Sequence, residues 1–138
     1  INPKIKIYGI QTKKFPTMYN SFKRKQLRVT GDTLADGIAV KIPGNITSSI
    51  IQKYVDDIIL VNEFEIEKAI SALFENERIV SEGAGAVGVA AIMKNPDLFN
   101  GLGIGTVICG GNIDARVFFW PLSMTSIPGK KSRQATKL

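Results

Sequence analysis

Four consecutive apolar residues, Ile58-Ile59-Leu60-Val61, constrain this chain more than any other feature. A run with no polar alternation has no face to give to water. It is therefore expected as a strand covered on both sides, as in a mainly parallel sheet flanked by helices. Asn62 and Glu65 follow at once with capping-box spacing, the Asn side chain accepting from the helix while the Glu reaches back. Behind them Ile66, Ala69, Ile70, Leu73 and Phe74 fall on one helical face, which predicts a helix from Glu63 to about Glu75.

The flanking segments repeat the theme. Residues 4–10 alternate well enough for a short strand, and Pro16 opens a helix-like stretch to about Phe22. Residues 23–28 and 31–33 have no apolar periodicity and read as a basic loop. Ile50, Ile51, Tyr54 and Val55 predict a helix with Thr47 as its N-cap. Another helix is expected from near Glu82 to Lys94, where Asn95-Pro96 stops it. Its glycines and alanines, Gly83 to Ala91, leave backbone open to close approach. Residues 105–109 look like one more buried strand, ending in the sharp turn Gly110-Gly111-Asn112. Helices alternating with apolar strands give an α/β class. Residues 1–120 read as one unit and 121–138 as a disordered basic tail.

Composition removes several kinds of chemistry. The 138 residues contain no histidine and one cysteine, Cys109. Histidine triads, zinc sites and an intrachain disulfide framework are thereby excluded. No apolar run approaches the roughly 18 residues of a membrane span, and no signal peptide is visible, so a cytoplasmic protein is expected. The net charge is +6, but its distribution matters more than its sum. Residues 1–30 carry eight Lys or Arg and no acid, whereas residues 31–100 carry five against eleven. A basic arm from Lys13 to Arg28 could contact phosphates, yet it lacks interleaved aromatic residues and the acidic centre opposes a broad footprint. Nucleic-acid binding ranks last among the readings.

Cys109 with Gly110, Gly111 and Asn112 stands at a strand end, where open α/β sheets place ligands. The pattern by itself favours a plainer reading, a buried thiol before a tight turn. Ser81-Glu82-Gly83 is equally compatible with a site or with an ordinary helix start, an acid set against the dipole. The paired carboxylates Asp56-Asp57 could suggest acid-base work, but a solvated helix-to-strand connection accounts for them better.

Four blocks in order, Ala35-Asp-Gly-Ile-Ala-Val-Lys41, Tyr54-Val-Asp-Asp57, Val80-Ser-Glu-Gly-Ala-Gly-Ala86 and Cys109-Gly-Gly-Asn-Ile-Asp114, together resemble the second half of the threonine dehydratase catalytic domain. That family belongs with serine racemase to the fold type II pyridoxal-phosphate enzymes. The resemblance runs from Ile1 to about Phe118. It implies part of a large domain, a mostly parallel sheet flanked by helices and incomplete by itself. It also implies pyridoxal phosphate as cofactor and a small hydroxy amino acid as substrate, eliminated to a 2-oxo acid and ammonia. By position it places Cys109 against the pyridine nitrogen of the cofactor, Glu82 beside the ring, and the backbone of Gly37 along its border, with Gly110 in the same turn.

Departures from the family are equally specific. The cofactor-bearing lysine in its Ser-Phe-Lys-x-Arg-Gly setting, and the glycine loop that cradles phosphate, have no counterpart in these residues. Ser21-Phe22-Lys23 copies half of the lysine motif, but Arg24-Lys25-Gln26 follows it, and Lys23 reads as a solvated basic residue. Where serine racemase relatives bind a divalent cation through two acids, Gln11 and Thr17 stand here. No catalytic residue and no metal ligand is therefore assigned. The chain is expected to be inactive alone and to need a separate upstream half or to self-associate. A degraded, non-catalytic product is the alternative.

Overall fold

A computed structural model describes residues 2, 4–111, 113 and 114. Its sheet has two parallel strands, β1 (Tyr8–Thr12) and β2 (Asp57–Val61), in register from Tyr8 opposite Asp57 to Thr12 opposite Val61. Between them the chain makes helix α1 (Thr17–Lys23), a single 3-10 turn at Asp36–Ile38 and helix α2 (Asn45–Tyr54). After β2 come α3 (Glu63–Ala72), α4 (Gly83–Lys94) and the short α5 (Pro96–Phe99).

The apolar run of β2 is covered from two sides, as its sequence requires. Ile59 and Val61 pack into a core made with Ile66, Ala69 and Ile70 of α3 and Ala86, Ala90 and Ala91 of α4. Ile58 turns the other way, toward Ile51 of α2 and Met18 of α1 across a small cavity of about 270 Å³. Burying each large aliphatic side chain in such a core contributes about 1.5–3 kcal/mol. The capping box forms as its spacing predicts. Glu65 N–H donates to Asn62 Oδ1 at 2.9 Å and Asn62 N–H to Glu65 Oε2 at 2.7 Å. Such a cap is typically worth about 1 kcal/mol. Lys94 adds a brace from α4, donating to the Leu60 carbonyl at 2.7 Å and pairing with Glu65 at 3.2 Å.

Four expectations about elements change, the first being the strand expected over residues 4–10, which instead runs Tyr8–Thr12. Residues 73–77 continue α3 as a π-type turn, closed by Arg78 in a left-handed conformation (φ 59°). The Arg78 guanidinium donates to the Phe74 carbonyl at 3.3 Å and the Glu75 carbonyl at 2.8 Å, which fastens the end of the turn. Thr47 is not the cap of α2. Gly44 holds that place, because Asn45 and Ile46 extend the helix forward and the Thr47 hydroxyl donates back to the Gly44 carbonyl at 2.9 Å. Residues 105–109 form no strand, and Val107 is 82% exposed. A strand needs a ladder, and among the described residues β1 and β2 pair only with each other. The turn is tied down instead by an isolated bridge between Ser81 and Gly110. The aromatic residues 118–120 and the basic tail lie outside the described residues.

Asp56 and Asp57 are ion-paired, not arranged for proton transfer. Asp56 meets Lys6 Nζ at 2.9 Å and accepts from the Ile7 N–H at 2.8 Å, clamping the approach to β1 against the approach to β2. Asp57 meets Lys23 Nζ at 2.6 Å. The Ile7 amide and then Lys6 hold the Asp56 carboxyl below its ordinary value. For Asp57 desolvation pushes upward, but Lys23 and the Ile58 amide outweigh it and the carboxyl is again lowered. Carboxyls depressed in the folded state contribute stability above their ordinary value of 3.8 and lose it as pH falls through the lowered one. Urea midpoints should therefore fall below about pH 4. Asp56→Asn should flatten that limb, and an unchanged limb would remove Asp56 from the account.

Candidate functional site at the start of helix α4

The four residues singled out by resemblance come from three separate segments, and the structure brings those segments together at the first turn of α4. Absent side chains permit the approach. A β-carbon on Gly83 would run into the Leu34 carbonyl, one on Gly85 into the Cys109 backbone, and one on Gly110 into the Val80 carbonyl. Ala35, fully buried in the α3–α4 core, fixes the incoming loop. Two residues later Gly37 faces α4, where an added β-carbon would sit 3.2 Å from Ala84 Cβ and 4.0 Å from Glu82 Oε1.

Glu82 is the N-cap residue of α4, but its side chain makes no cap bond. Its carboxylate is half-buried and has no hydrogen bond among the described residues. The backbone does the tethering, since Glu82 N–H donates to the Cys109 carbonyl at 3.3 Å. Ser81, to which the sequence assigns no role of its own, completes the joint. Ser81 is fully buried, and its single hydroxyl proton is shared between the carbonyls of Cys109 at 3.0 Å and Glu82 at 2.9 Å. Nothing local in the sequence marks Ser81 for this, because its partner is 28 positions away.

The Cys109 thiol is free and its residue exposed, so the plainer reading of a buried thiol does not hold. Asn112 lies outside the described residues. Lys23, read as simply solvated, is half-covered by its bond to Asp57 and lies 5.7 Å from the Phe22 ring centroid. It has no part in the α4 cluster. Gln11 in β1 and Thr17 at the start of α1 are each occupied by a hydrogen bond within the protein. The Gln11 carbonyl accepts from Tyr19 N–H at 2.8 Å, and the Thr17 hydroxyl donates to the Val40 carbonyl at 2.7 Å.

A cavity larger than the one beside Ile58 lies elsewhere. About 590 Å³ in volume, it runs between residues 4–8, Gly88 and Ala91 of α4, and residues 102–106. Its lining is mostly apolar, with Lys4 and Lys6 among the residues that border it, and carries no acid or thiol, so the chemistry singled out above and not volume marks the site.

The pyridoxal-phosphate dependent enzyme family matches this chain over residues 1–110. The chain belongs to that family. Its relatives include L-threonine ammonia-lyase of Thermotoga maritima, 49% identical over 119 residues, which cover 85% of this chain and 29% of that protein. The catabolic L-threonine dehydratase TdcB of Escherichia coli is 41% identical over 119 residues, 83% of this chain and 36% of that protein. Among solved structures, serine racemase from Dictyostelium discoideum superposes with a TM-score of 0.70 at 31% identity, covering 82% of this chain and 37% of that one. The chain thus spans about a third of the length of the relatives it matches. The family's enzymes use pyridoxal phosphate, and its members in this comparison act in amino-acid chemistry by their names.

The residues present fit that cofactor in part. Gly37 leaves an exposed stretch of backbone, the Glu82 carboxylate, without a hydrogen bond among the described residues, borders it, and the exposed Cys109 thiol stands across the Cys109–Glu82 joint. A backbone edge, an acid and a weak hydrogen-bonding group suit a flat heteroaromatic ring. Among the described residues no helix is long and apolar enough to cross a membrane.

Proposed function

We propose that this chain forms one wall of the pyridoxal-phosphate site of a threonine or serine dehydratase. In that wall the Gly37 backbone borders the cofactor, Glu82 lies beside the ring, and Cys109 in its turn with Gly110 meets the ring nitrogen. The observation that carries the reading is the convergence of Gly37, Glu82 and the 109–110 turn on one helix start. The chemistry pyridoxal phosphate supplies when bound is an electron sink for bonds broken at the amino acid's α-carbon.

The chain's own residues orient and tune. A thiol is a weak hydrogen-bonding partner, so Cys109 leaves an aromatic nitrogen largely unprotonated, where a carboxylate would hold a proton on it. That choice favours elimination over transamination. In elimination the α C–H and β C–O bonds break, the hydroxyl leaves as water, and the resulting enamine hydrolyses to a 2-oxo acid and ammonia. The closed packing of Gly83 and Gly85 keeps the acid and the thiol at a fixed separation.

The α-proton and the covalent tether call for a positioned lysine, which this reading assigns to a part of the enzyme beyond these residues. The edge of β1 away from β2 has no ladder among the described residues, and Ile42 and Ile46 are 84% and 78% exposed. Both features suit packing against that part or against a second copy of the chain. Borohydride reduction with pyridoxal phosphate, followed by peptide mapping, tests the division of labour. The 138-residue chain alone is expected to give no single dominant labelled lysine and no 2-oxo acid from threonine or serine. With the lysine-bearing part added, one label should fall on that part and the 2-oxo acid should appear. A dominant label on Lys23 with turnover would overturn the reading.

A further inference from the structure

One carboxylate outside the α4 cluster gathers more bonds than any local cap requires. Glu63, the first residue of α3, accepts from the Thr12 hydroxyl at 2.8 Å and the Thr33 hydroxyl at 2.8 Å, both through Oε1. Its Oε2 accepts from the Leu34 N–H at 2.7 Å. Thr12 is the last residue of β1 and is fully buried, while Thr33 and Leu34 begin the loop that carries Gly37. The two hydroxyls pass the order onward, Thr12 accepting from Lys14 N–H and Thr33 from Ala35 N–H, each at 3.2 Å. Leu34 is the hinge of this arrangement. Its N–H is held by Glu63, and its carbonyl is the atom against which Gly83 packs, one residue from Glu82.

We propose that Glu63 is a positioning residue: through Leu34 it sets the distance between the Gly37 backbone and the Glu82 carboxylate, and so the width of the cofactor-facing slot. The proposal rests on the cofactor-wall reading above. An acid in the first turn of a helix is favourable anyway, but that generic benefit needs neither threonine nor Leu34. What distinguishes Glu63 is that all three of its bonds reach other elements, 29 to 51 positions away in the sequence.

The substitutions divide cleanly. Glu63→Gln keeps a carbonyl for the Leu34 N–H and offers two N–H groups to hydroxyls that can rotate to accept them. Glu63→Ala loses all three bonds, and Glu63→Asp keeps the charge but is a methylene too short. Hydrogen exchange of the full 138-residue chain should show Leu34 and Ala35 amides opening at least about tenfold faster in the Ala and Asp variants, with Gln close to wild type. Exchange at Ile66 and Ile70 should move far less. In the holoenzyme, the absorbance of bound pyridoxal phosphate should shift in the Ala and Asp variants and return in Gln.

Two results would overturn the proposal. One is an exchange increase uniform across the chain and equal to the loss of global stability, which would make Glu63 a general stabiliser. The other is the expected local exchange with an unchanged cofactor spectrum in every variant, which would confine the latch to the loop. The exchange arm involves no cofactor, so a failure of the cofactor-wall reading leaves it intact and shows separately, in the response of the ring nitrogen to Cys109.

Discussion

Gly85→Val is expected to destabilise the chain by about 3 kcal/mol or more and to detach the 105–111 segment from α4. The side chain would enter space held by the Cys109 backbone, and backbone on both sides cannot yield as a flexible side chain can. The bonds from Ser81 and Glu82 to the Cys109 carbonyl depend on that approach, so the thiol and the acid should separate. Gly103→Val is the matched control, because nothing lies within 4 Å of an added β-carbon there. Urea denaturation with thiol-labelling rates at Cys109 reads both effects. Equal midpoints and equal labelling in the two variants would mean that the close packing of α4 does not hold the site.

The parts of the fold legible in the sequence were those whose cause is local. An unalternating run such as residues 58–61 implies covering on both faces, and Asn62 with Glu65 implies a helix start, whatever lies around them. The glycines of α4 announced close approach but not the partner, since Leu34 and Cys109 are distant in sequence. Residues 105–109 carried the composition of a buried strand, yet strand character needs a neighbouring ladder, which composition does not supply.

The site divides along the same line. Gly37, Glu82, Cys109 and Gly110 are singled out by a resemblance, not by spacing, and the structure draws their segments together at one helix start. The bonding of Ser81 and Glu63 was not legible because a serine before a helix and a glutamate in its first turn are ordinary residues at ordinary positions. Their importance lies entirely in bonds to residues 28 to 51 positions away.

Exchanging Cys109 should separate the roles of shape and charge in a holoenzyme assembled from this chain and the lysine-bearing part. Cys109→Ser is expected to preserve elimination, since a hydroxyl fills the same place as a neutral hydrogen-bonding group. Cys109→Asp should place a carboxylate where protonation of the ring follows. Turnover should then drop at least about tenfold, roughly 1.4 kcal/mol in the barrier, or divert toward transamination. Loss of all activity in the serine variant with cofactor still bound would give the thiol a different role.

The most direct test is the nitrogen resonance of ¹⁵N-labelled pyridoxal phosphate bound to that holoenzyme. The account predicts a shift characteristic of an unprotonated pyridine with Cys109 or Ser in place, moving to the protonated range in Cys109→Asp. A resonance that stays unchanged in Cys109→Asp while the cofactor remains bound would contradict it, because Cys109 would then not face the ring nitrogen.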